Sequence, residues 1–279
     1  MESENRRLDV INVAGLMIGK WHEDSLEKAL RDQEYVRSVV TIYPTPASKS
    51  RENPEESIMR AIGQVDEEVT KIISEFGEGN IVLVGQSYGA LMALMVACRT
   101  KFKNILKVVL MEGSLHPEVT VEPPRLLPVL AVCASHYQAR PRIANEAVCS
   151  LKELGTDRVV IITNRRDGVV SPEAQILPGN FQEIELDTEN LDVFGKVDNT
   201  RGMIIRLPRH LGGKDTGLTS LLPKEYRDHL AWSDEKCKFI GEIIRVTTER
   251  AIEEKIVRPG KPVGLANTHE RSECAYNQA

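Results

Sequence analysis

Residues 85–89 read Gly-Gln-Ser-Tyr-Gly, a G-x-S-x-G spacing that could hold Ser87 as a nucleophile. A serine hydroxyl is a poor nucleophile alone. It needs a base to take its proton and an acid to orient the base. For a serine in this motif the acid and then the base follow in the chain. The stretch "RVVIITNRRDGVVSPEA" offers Asp167, in an Asp-Gly turn just after a β-branched run. An Asp-Gly pair is also a common turn former. Glu112, directly after "KVVLM", is the second acid candidate. Of the six histidines, His22, His116 and His136 precede Asp167, and His269 falls in a polar C-terminal stretch. That leaves His210 in "RLPRHLGG" and His229 in "YRDHLAWSDEK" as candidate bases. His229 directly precedes the last amphipathic pattern, the position from which a base usually enters.

The alternative to a nucleophile is a plain strand-to-helix turn that happens to contain a serine. The neighbouring residues bear on that choice. "NIVLVG" before Ser87 reads as a buried strand, and "YGALMALMVACR" after it reads as an apolar helix. Glycines two before and two after the serine remove side chains where strand and helix converge. The hydroxyl would then project at the carboxyl end of a strand and the N-terminus of a helix, where N–H groups favour a developing oxyanion. A dinucleotide or phosphate-loop reading fails, because "GQSYG" is neither G-x-G-x-x-G nor a lysine-bearing loop.

The elements that must position these residues alternate along the chain. "LDVINVAG" (8–15), "VRSVVTIYP" (36–44), "KVVLMEG" (107–113) and "DRVVIITN" (157–164) read as strands, and 181–187 and 202–208 as two more. Helical patterns lie at 24–33, 54–76 and 234–255, the second opened by Pro54 and two glutamates. Such alternation predicts an α/β fold with a mostly parallel sheet and helices on both faces. The proline-rich segment 114–150 interrupts the pattern and is a candidate cap insertion. Residues 251–279 read as a polar tail.

Composition excludes several classes. The 279 residues carry a net charge of −5, which gives no basic footprint for nucleic acid. No run of apolar residues is long enough to span a membrane. Asp9 and Asn12 interrupt the apolar stretch that follows Arg6 and Arg7, which argues against a signal peptide. The five cysteines are scattered, with no C-x-x-C, as expected of thiols in a reducing compartment. These features predict a cytoplasmic protein.

The pieces "VGQSYGA", "NRRDGVVS" and "GMIIR…YRDHLAW" together resemble the α/β-hydrolase superfamily, and within it the bacterial lipases and esterases. The resemblance spans residues 8–250, which it implies are one α/β-hydrolase domain. It implies that Asp167 is the acid. The "DHLAW" context favours His229 over His210 as the base. "INVAGLMIGKW" is similar to the family's oxyanion strand and loop, which implies backbone donors at Leu16 and Tyr88. Ala14-Gly15 stands where the family usually has His-Gly, and Gln86 where it often has histidine. Ala231 stands where some lipases carry a calcium-binding aspartate, so no metal is expected, and no cofactor either. The resemblance also implies a sheet lacking the family's leading strands.

The implied activity is serine-dependent hydrolysis of a small-molecule carboxylic ester or thioester through an acyl-enzyme on Ser87. An acyltransferase or amidase would use the same three groups. A binding protein on the same fold, without turnover, is the alternative of a different class.

Overall fold

The structure is a computed structural model. It describes residues 7–15, 20–43, 53–76, 80–119, 134–154, 157–164, 167, 170–178, 181–187, 203–206 and 234–257. Leu16, His210, His229 and the segments 44–52, 120–133 and 258–279 lie outside the described residues.

The strands are β1 (Leu8–Val13), β2 (Val36–Ile42), β3 (Asn80–Gln86), β4 (Ile105–Met111), β5 (Val159–Asn164), β6 (Gln182–Asp187) and β7 (Met203–Arg206). The helices are α1 (Lys20–Arg31), α2 (Pro54–Phe76), α3 (Tyr88–Arg99), α4 (Ala134–Leu154), α5 (Pro172–Gln175) and α6 (Asp234–Val257). The strands form one seven-stranded sheet in the order β2-β1-β3-β4-β5-β6-β7. Every neighbouring pair is parallel.

Parallel strands need crossovers, and the crossover helices cover both faces. The central strands therefore read as unbroken apolar runs, with β1, β3 and β5 buried throughout. Alternate side chains still part to opposite faces. Ile11, Val13, Ile81, Leu83, Leu110 and Ile161 meet α2, α3 and α4. Val10, Val82, Val84, Val109, Val160 and Ile162 meet Leu26 and Leu30 of α1 and Ile240 and Ile244 of α6. The i, i+4 spacing of both helical pairs puts each on one helix face.

Two boundaries differ from the sequence reading. Residues 134–150, assigned above to a cap insertion, form most of α4. Ile143, Ala144, Ala147 and Leu151 of that helix are buried in the core with α3, so it is a crossover layer. Secondly, α6 runs on to Val257 with Ile252 buried, so the first residues of the expected tail belong to the fold.

The chain leaves β1 toward β2 on one side, then returns so that β3 pairs with the other side of β1. That reversal is a topological switch point at the carboxyl ends of β1 and β3, the place where ligands of open α/β sheets bind.

Candidate active site

Ser87 sits at that switch point, between the end of β3 and the start of α3. Its backbone is at φ 56°, ψ −127°, a region that non-glycine residues avoid. Holding it there costs about 1–3 kcal/mol, and such strain persists only where surrounding structure imposes it. Two contacts impose it: the Ser87 N–H donates to the Met111 carbonyl at 2.9 Å, and the Ala90 N–H donates to the Ser87 carbonyl at 3.1 Å. Between Asn80 and Cys98, Ser87 is the one residue that is not buried. A serine before a helix ordinarily caps it with its side chain. Ser87 makes no such capping bond.

The flanking glycines follow from the same convergence. A Cβ on Gly85 would lie 2.8 Å from the Ala90 Cα, and a Cβ on Gly89 would lie 2.7 Å from the Ala14 carbonyl carbon and oxygen. The first turn of α3 therefore packs against the backbone end of β1. The residue expected to supply one oxyanion donor, Leu16, follows two positions after Ala14. Tyr88, expected to supply the other, is the first residue of α3.

Asp167 is buried and follows the carboxyl end of β5, the same sheet edge as Ser87. Its Oδ1 accepts the Val170 N–H at 3.0 Å, and its own N–H donates to the Asn164 carbonyl at 3.3 Å. Gln175 Nε2 approaches Asp167 Oδ2 at 3.4 Å. The turn-forming role of this aspartate is thus real, and it aims the carboxyl group.

Glu112, the second acid candidate, directly follows β4 in a fully buried position with φ 47°. Its carboxylate accepts from Gln86 Nε2 at 2.8 Å and from Asn164 Nδ2 at 2.9 Å. Both of its oxygens are engaged with the strand ends on either side. His210 and His229 fall between β7 and α6, outside the described residues.

The sequence reading set His136 aside for its chain order. It is fully buried on α4, its Nδ1 lies 3.0 Å from the Tyr88 hydroxyl, and the two rings meet edge to face at 5.2 Å. Burial lowers its pKa, which favours the neutral imidazole. Gln86, Asn164 and Gln175 carry no signal of a site role in the sequence. No local spacing marks them, because their partners come from other strands. Among the described residues no group of three metal-binding side chains stands together.

No family model matches the chain, and no curated protein does. Solved structures do. The esterase domain of a Rhodothermus marinus protein superposes with a TM-score of 0.50 at 13% identity, covering 88% of each chain. The chain has the α/β-hydrolase fold. An esterase of Pyrobaculum calidifontis is similar at TM-score 0.49 and 14% identity, over 86% of this chain and 77% of that one. On this hydrolase fold Ser87 stands at the strand-to-helix turn, and Asp167 stands two strands along the same edge.

Proposed function

We propose that the protein is a serine hydrolase of carboxylic esters or thioesters, with Ser87 as nucleophile, Asp167 as acid and His229 as base. One observation carries the reading. Ser87 is held at φ 56° at the sheet's switch point and spends its hydroxyl on no helix cap. The strain has a use if the hydroxyl must face a substrate. Ser87 attacks the carbonyl carbon while His229 takes its proton. The N–H groups of Leu16 and Tyr88 receive the oxyanion, and His229 returns the proton to the departing alcohol or thiol. Water then cleaves the acyl-enzyme by the reverse proton path. Asp167 holds the imidazole in the required tautomer throughout.

Chain reach supports His229 over His210. β7 lies four strands from β3, about 19 Å away. His210 follows Arg206 by four residues, which span at most about 14 Å. Even fully extended, those residues fall about 5 Å short of β3. His229 precedes α6 by five residues, and α6 packs against β4 and α1, nearer to β3.

Hydrolysis of short nitrophenyl esters tests the assignment. His229→Ala is expected to remove nearly all turnover and His210→Ala little of it; the reverse would move the base to His210. Asp167→Asn is expected to lower kcat by several orders of magnitude, far more than Glu112→Gln, and an equal or reversed effect counts against Asp167. Free acid as the product separates hydrolysis from transfer to an added alcohol or amine. No helix among the described residues is long and apolar enough to cross a membrane, and we place the protein in the cytoplasm on its cysteine pattern.

A further inference from the structure

We propose that Glu112, Asn164 and Gln175 form a buried positioning relay that fixes the Asp167 carboxyl group relative to the Ser87 turn. The inference rests on the reading of Ser87 and Asp167 as nucleophile and acid. The relay begins at Gln86, the residue before Ser87. Its Nε2 donates to Glu112 at 2.8 Å. The other Glu112 oxygen accepts from Asn164 Nδ2 at 2.9 Å. Both amides turn their NH2 groups toward Glu112.

Asn164 passes the constraint on through its backbone. Its N–H donates to Gln175 Oε1 at 2.7 Å, and its carbonyl accepts from Gln175 Nε2 at 3.0 Å. The same Nε2 donates to the Val170 carbonyl at 2.7 Å. Gln175 thereby clamps the start and the end of the turn that contains Asp167. Val170 N–H in turn holds Asp167 Oδ1, and Gln175 Nε2 lies 3.4 Å from Oδ2. The Glu112 N–H completes the frame by donating to the Ile162 carbonyl at 3.0 Å.

Stability alone does not require such a chain. Gln86, Glu112, Asn164 and Gln175 are each at most 2% exposed, where apolar side chains of like volume often pack as stably. A connected polar network does something packing does not: it restricts the strand ends to a narrow range of geometries. Here it joins the carboxyl ends of β3, β4 and β5, the three strand ends that carry or flank Ser87 and Asp167. The residues are positioning residues, because none of them needs to touch the substrate.

The test uses the full chain with Glu112→Gln, Gln175→Met and the double variant. Active sites are counted by a fluorophosphonate, and kcat, KM and the pH profile of kcat/KM are measured on a short nitrophenyl ester. Each single variant is expected to lower kcat by about tenfold to a hundredfold with KM within about twofold, since misplacement by 1 Å is enough for that loss. The acid limb of the profile is expected to move to lower pH, because a loosened Asp167 supports the imidazolium less. The double variant is expected to lose less than the product of the single losses. Folded variants with wild-type kcat per labelled site, or strictly multiplicative losses, would overturn the relay while leaving the hydrolase reading intact. A wild-type protein whose Ser87 is not labelled overturns both. If Glu112→Gln or Gln175→Met does not fold, Gln86→Glu with Glu112→Gln carries the test. That pair restores a donor facing an acceptor at both contacts and is expected to return kcat to within about threefold of wild type. Failure to recover in the folded pair overturns the relay.

Discussion

Gly89→Ala is the substitution whose consequence the structure fixes most tightly. The added Cβ would lie 2.7 Å from both the carbonyl carbon and the oxygen of Ala14, and against the Val13 carbonyl oxygen as well. Ordinary contact begins near 3.4 Å, so the Ala14 atoms alone require about 0.7 Å of movement and the closer Val13 oxygen requires more. All three obstacles are backbone, and no side-chain rotation relieves them. Overpacking of this kind costs about 1–3 kcal/mol, and a purely backbone clash belongs at the upper end. At about 2–4 °C per kcal/mol for a chain of this size, the melting temperature should fall by about 6–12 °C. Activity should suffer more than stability does. The displaced backbone leads directly to Leu16, and a shift approaching 1 Å can cost about a hundredfold in rate. Gly63→Ala is the control. Gly63 is exposed in α2 with nothing within 4 Å of its Cβ direction, so alanine there should add about 0.5–1 kcal/mol of stability and leave activity unchanged. Thermal unfolding and nitrophenyl ester kinetics on both variants decide the matter. A Gly89→Ala protein with wild-type melting temperature and kcat would refute the argument that these glycines exist to let α3 approach β1.

Three further outcomes are expected. Ser87→Gly should be more stable than Ser87→Ala by about 1 kcal/mol in urea unfolding, because glycine accepts φ 56° without strain, while both lose activity. Stability should fall on acidification below about pH 6.5, the ordinary histidine value, because His136 is held neutral by burial and its folded pKa lies below the unfolded one. The unfolded chain binds the proton first in that window, so His136→Phe should flatten this part of the stability–pH curve measured by urea unfolding. Asp9 is fully buried and accepts from Arg37 Nε at 3.0 Å and Ser38 Oγ at 2.7 Å. Asp9→Ala should cost about 3–5 kcal/mol by stranding Arg37, with kcat of the folded protein unchanged.

The sheet was legible because parallel strands buried on both faces must be apolar and β-branched, and "NIVLVG" and "RVVIIT" are. Helix α2 was legible to the residue, since Pro54 and two glutamates mark its start and its apolar stripe is regular. Helix α4 was not. Pro141 lies inside it, where proline costs about 3 kcal/mol, and its buried apolar stripe begins only at Ile143, the earlier buried positions being the polar His136 and Arg140. Burial against α3 outweighs that local cost. At the site, Ser87 and Asp167 were visible because each closes a strand with a recognisable turn. The Gln86–Glu112–Asn164 contacts were invisible, because their partners lie 26 and 52 residues apart and only the strand order brings them together. His136 was rejected on chain order, and its contact with Tyr88 depends on a helix the sequence did not reveal.

The central claim is that Ser87 is a nucleophile. Peptide mass spectrometry of the folded protein after treatment with a fluorophosphonate tests it most directly. The account predicts one adduct, on Ser87, that forms in the native protein and is absent after unfolding in urea. An unmodified Ser87 in the folded protein would contradict it.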